Sequence, residues 1–127
     1  RTEITLHGDP RLVAAVGAVV THASQRLGLT EQADALSAST MEVVREIFKK
    51  MGNRAEAPDA AVQVVVEDHP GQLEVIIEHP GEADSASGAA HTQSGPWKIW
   101  DNAKFESCNG TSRVVLTKFA PGKSPQA

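Results

Sequence analysis

The chain has 127 residues, 40% of them hydrophobic, with 12 Lys and Arg against 16 Asp and Glu for a formal net charge of -4. That apolar fraction supports one folded core and excludes a disordered chain, and the acidic balance provides no field to hold nucleic acid or an anionic membrane. The single cysteine, Cys108, excludes an internal disulfide, and no apolar run approaches the roughly 20 residues of a membrane span, so a cytoplasmic protein is expected. Thr2 to His7 alternates, with Ile4 and Leu6 on one face, and predicts a strand; Gly8-Asp9-Pro10 then supplies a break, an N-cap and a first-turn proline. Leu12, Val16, Val19, Val20, Ala23 and Leu27 recur at helical spacing, and Gly28 is placed to end this first helix in a left-handed cap. Thr30 can cap a second helix whose apolar stripe runs through Leu36, Thr40, Val43, Val44, Ile47, Phe48 and Met51 before Gly52-Asn53 stops it.

A polar link from Asn53 to Ala60 leads to two runs rich in β-branched residues, Val62 to Glu67 and Leu73 to Glu78. Asp68-His69-Pro70-Gly71 between them suits a type II turn, so the pair reads as a hairpin. Pro80 to Pro96 is rich in Gly, Ala and Ser without periodicity and reads as a mobile loop. Trp97 to Ser107 reads as a short helix, Asn109-Gly110 as a turn, and Ser112 to Phe119 as a last strand. Residues 1–119 then form one domain, with 120–127 as a frayed tail. Helical stripes that need a sheet to cover them make this an α+β two-layer sandwich, with helices packed on one mixed, mainly antiparallel sheet. Its core is expected to collect Leu12, Val16, Val20, Leu36, Val43, Ile47, Val64, Val75, Ile77, Val114 and Leu116.

Residues with chemistry are sparse. Glu42 and Glu46 fall opposite the apolar stripe of the second helix, among Arg45, Lys49 and Lys50, which predicts a solvated, salt-bridged face. His7, His22, His69, His79 and His91 show no close pairing at metal-ligand spacing, which argues against a zinc site. Trp97 and Trp100 either pack the last segment onto the sheet or present an anchor to a partner. Cys108, with no histidine motif nearby, reads as an ordinary thiol.

The closing segment, Trp100-Asp101-Asn102-Ala103-Lys104-Phe105-Glu106-Ser107 followed by Asn109-Gly110-Thr111-Ser112-Arg113-Val114-Val115-Leu116-Thr117-Lys118, resembles the end of the GHKL, or Bergerat-fold, ATPases. With the element order, the resemblance spans nearly the whole chain and points to the compact anti-sigma-factor serine/threonine kinases. It implies a histidine kinase-like ATPase fold in which a second-helix glutamate acts as base and an asparagine four residues later holds Mg²⁺. Here Glu42 takes the first position and Glu46 the second; a carboxylate is an acceptable Mg²⁺ ligand, but it adds negative charge towards the polyphosphate. The adenine-reading aspartate of the family falls on His79, and of the spaced glycines after it only Gly81 matches. The phosphate-binding glycine stretch is reduced to Gly95, followed by Pro96, which removes an amide donor, and Trp97, which adds bulk.

His79, Gly81 and Gly95 therefore form a vestigial nucleotide site. The resemblance implies a degenerate, pseudokinase-like regulator of bacterial-type signalling without a working cofactor. Its partner is then a protein, a sigma factor or an anti-anti-sigma-like regulator, and a homodimer is possible because family members commonly pair. The alternative it leaves open is an active kinase using Mg-ATP.

Overall fold

The structure, a computed structural model, describes residues 1–6, 10–51, 61–80, 98–108 and 110–120. Strand β1 (Thr2–Leu6) is followed by a single 3-10 turn at Pro10–Leu12 and helix α1 (Val13–Arg26). A second 3-10 turn, Thr30–Gln32, opens helix α2 (Ala33–Met51), and four strands follow: β2 (Val62–His69), β3 (Gln72–Pro80), β4 (Asn102–Cys108) and β5 (Thr111–Phe119). Gly28 closes α1 at φ 79°. The Gly28 amide donates to Gln25 O at 3.1 Å and the Leu29 amide to Ser24 O at 2.8 Å, the paired bonds of a Schellman motif.

The strands form one sheet in the order β1-β2-β3-β5-β4, and every pair is antiparallel. This corrects the expected mixed sheet. A parallel pair arises from a crossover that leaves the chain pointing the same way; here the two helices between β1 and β2 return the chain reversed, β2–β3 and β4–β5 pair as hairpins, and β5 lies antiparallel between β4 and β3.

A second correction concerns the segment expected to be helical from Trp97 to Ser107. Asn102–Cys108 is strand β4, paired with β5 so that Ala103 faces Leu116, Phe105 faces Val114 and Ser107 faces Ser112. Its inward residues alternate with Asn102, Lys104 and Glu106, a period of two rather than 3.6, and Gly110 turns at φ 79°. At the other hairpin Gly71 has φ 87°, as the third position of a type II turn demands, and His69 pairs with Gln72 across Pro70-Gly71.

The core lies between the helices and one face of the sheet. Val13, Val16, Val20, Leu36, Val43, Val44 and Ile47 from the helices meet Leu6, Val62, Val64, Val66, Leu73, Val75, Ile77, Val114 and Leu116. Leu12, expected among them, is 39% exposed, because it belongs to the turn before α1 and Val13 takes the buried position. The helices touch closely at Gly17, whose carbonyl accepts from Ser37 Oγ at 2.9 Å. A methyl group at Gly17 would stand 2.6 Å from Met41 Sδ, so the residue is small for a packing reason.

Trp100 closes the core beside β4. It is 6% exposed, and its indole Nε1 donates to Ser39 Oγ on α2 at 2.9 Å. Neighbouring Asp101 is held from several sides: its amide donates to Thr117 O at 2.9 Å, its Oδ2 accepts from the Phe119 amide at 2.7 Å, and Lys118 Nζ lies 3.5 Å from Oδ1. Ala120, with which the frayed tail was expected to begin, is buried and donates its amide to Gly71 O at 2.9 Å. Of the loop expected from Pro80 to Pro96, Pro80 is the last residue of β3 and the rest, like residues 121–127, lies outside the described residues.

Candidate functional site

Helix α2 is amphipathic, and its pitch sends Glu42 and Glu46 to the exposed side one turn apart, with Arg45 and Lys49 exposed alongside. The solvated face is as expected. Among the residues whose side chains are described, neither glutamate forms an ion pair; the side chain of Lys50, one turn beyond Glu46, lies outside them.

His79, the last residue but one of β3, is half-buried. Strand alternation puts it on the same side as Leu73, Val75 and Ile77. Its Nδ1 lies 2.9 Å from Pro80 O. A carbonyl only accepts, so Nδ1 carries the proton, and in the neutral ring Nε2 is left as an acceptor. A cavity of about 320 Å³ at this end of the sheet is lined by Thr5, Ala61, Gln63, Glu78, His79, Pro80 and Thr111; neither Glu42 nor Glu46 lines it. The structure thus places Glu42 and Glu46 together and His79 in a separate depression. Gly81 and Gly95 lie outside the described residues.

Among the described residues, a set of three ligating groups stands elsewhere, on the sheet face turned away from the helices. Glu67 and His69 are two residues apart on β2, so they share that face, and Glu74 on β3 is the direct cross-strand partner of Glu67. His69 Nε2 lies 2.9 Å from Glu67 Oε2 and 3.7 Å from Glu74 Oε1. One donor atom from each residue falls within 4.8 Å of the others. Arg1 Nη1 holds the second oxygen of Glu67, Oε1, at 2.7 Å, and Arg1 Nη2 reaches Glu3 at 2.9 Å. The Arg1 guanidinium is held above its ordinary range, first by its hydrogen bond to Glu3 and then by the charges of Glu3 and Glu67.

A search for paired histidines and cysteines misses this group because two of its donors are carboxylates. A signal was nevertheless available: a two-residue turn at Pro70-Gly71 makes Gln72 the partner of His69 and Glu74 the partner of Glu67, and Glu-x-His in a strand puts both side chains on one face. No helix among the described residues is long and apolar enough to cross a membrane. No protein-family model matches the chain, and no curated protein matches it.

Proposed function

We propose that this protein is a non-catalytic regulatory module of anti-sigma-factor type, which keeps a helix-on-sheet scaffold for docking a protein partner and does not use Mg-ATP. The observation that carries this reading is the separation of the groups a nucleotide site would need. Glu42 and Glu46 stand on the exposed side of α2, while His79 is among the residues lining a cavity at the end of β3 that neither glutamate lines. Two carboxylates one turn apart also repel a polyphosphate unless a metal intervenes. Replacing the base-reading and metal-holding groups removes about 1 to 3 kcal/mol each where a buried polar group is left unpaired, together a loss of roughly one and a half to four powers of ten in affinity. By the resemblance, the partner is a sigma factor or an anti-anti-sigma-like regulator.

One observation favours the alternative, a serine/threonine kinase with Glu42 as base and Glu46 on Mg²⁺. The acceptor lone pair on His79 Nε2 is the atom that an adenine amino group would need. Calorimetric titration with Mg-ATP separates the two readings. The unmodified chain is expected to bind no tighter than millimolar, and the Glu46→Asn plus His79→Asp double variant is expected to bind more tightly. Micromolar binding by the unmodified chain overturns the regulatory reading and establishes the nucleotide site.

A further inference from the structure

Glu67 and Glu74 face each other directly across the β2–β3 ladder, with their side chains 17% and 24% exposed. Like charges in that arrangement destabilise a sheet, so the pair calls for a cation. Arg1 answers only in part: it engages Oε1 of Glu67, whereas Oε2 is the oxygen turned towards His69. Among the described residues, His69 is the sole ion-pair partner of Glu74.

We propose that Glu67, His69 and Glu74 bind one divalent transition-metal cation of the Zn²⁺ class, through His69 Nε2 and one oxygen of each glutamate. This inference is independent of the nucleotide reading, since none of the three residues belongs to that site. The spacing suits the ion. Donors around a tetrahedral Zn²⁺ with bonds of about 2.1 Å stand roughly 3.4 Å apart, and the two distances from His69 Nε2, 2.9 and 3.7 Å, straddle that value. Small side-chain rotations on a rigid ladder complete the geometry.

The scaffold is prepared as well. The register is pinned by the Pro70-Gly71 turn, and Arg1 orients the Glu67 carboxylate with Oε2 towards the imidazole. An imidazole nitrogen with two carboxylates suits Zn²⁺ and its neighbours, whereas Mg²⁺ and Ca²⁺ favour oxygen donors alone. Three protein donors leave a fourth position for solvent or an external ligand. The rival arrangement is metal-free, with a protonated His69 bridging the two carboxylates.

Calorimetric titration of the purified chain with ZnCl₂ in a non-chelating buffer decides between them. One equivalent is expected to bind with a micromolar Kd, with Mg²⁺ producing no comparable heat. Glu74→Gln and His69→Gln are each expected to weaken binding at least tenfold, while Glu31→Gln, remote on the turn before α2, leaves it unchanged. Glu74→Gln removes a charge repulsion and so should fold. As a second readout, nuclear magnetic resonance should show the His69 ring nitrogens shifting on Zn²⁺ addition. Binding no tighter than millimolar, or binding that Glu74→Gln and His69→Gln leave intact, overturns the proposal; the first result leaves the protonated bridge, and the second places the metal on other residues.

Discussion

The two faces of the sheet are built from alternate residues of the same strands, yet they do different work. On the face towards the helices Val62, Val64, Val66, Leu73, Val75, Ile77, Val114 and Leu116 join a single buried cluster with α1 and α2. On the other face Val65 and Ile76 are 6% and 8% exposed, almost as hidden from solvent, but they stand outside that cluster. They form a narrow apolar row with Val115, to which Ile76 is paired, between rows that carry Gln63, Glu78 and Arg113 on one side and Glu67 and Glu74 on the other. Low exposure by itself therefore does not make a residue part of the core. Inside, the apolar row packs against the helix layer; outside, a row almost as hidden runs between charged residues.

The sharpest way to break this contrast is to truncate consecutive isoleucines on β3. Ile77→Ala, at 0% exposure inside the cluster, should cost about 2 to 5 kcal/mol, because it leaves an enclosed cavity as well as losing transfer energy. Ile76→Ala should cost less by about 1 kcal/mol or more, since Ile76 stands outside the cluster that the helices enclose and its neighbours have more freedom to close the gap. Urea denaturation of both variants gives the two numbers, and equal losses would mean the outer face is packed as a core.

Trp100→Phe keeps most of the ring that seals the inner layer but deletes the donor to Ser39 Oγ. It should cost about 0.5 to 1.5 kcal/mol, the net value of one hydrogen bond, read from the shift in denaturation midpoint. A larger loss would show that β4 depends on this contact for its docking.

The smallest effect is expected on the outer face, and with the opposite sign. With chelator present, Glu74→Gln should stabilise the protein by about 0.2 to 1 kcal/mol by removing the charge opposite Glu67. Destabilisation would instead mean that the contact with His69 outweighs the repulsion, as in the metal-free bridge.

Much of the fold was legible in local pattern. The helical spacing of Val16, Val20, Val43 and Ile47, the left-handed Gly28 and the Pro70-Gly71 turn all depend on neighbours a few residues away, and the structure places each as expected. Within the segment expected to be helical from Trp97 to Ser107, residues from Asn102 on form strand β4, because a short run with mixed propensities takes its conformation from the strand it pairs with, here β5. Leu12 went to solvent because a 3-10 turn, rather than the helix, holds it. What the sequence by itself determined is which residues share a face, since helical and strand periods are properties of the local backbone. Which strands lie side by side was decided only in the tertiary structure, and with it the antiparallel order β1-β2-β3-β5-β4 and the meeting of Trp100 with Ser39 across 61 residues. Such contacts arise from long-range packing free energy, to which no window of sequence has access.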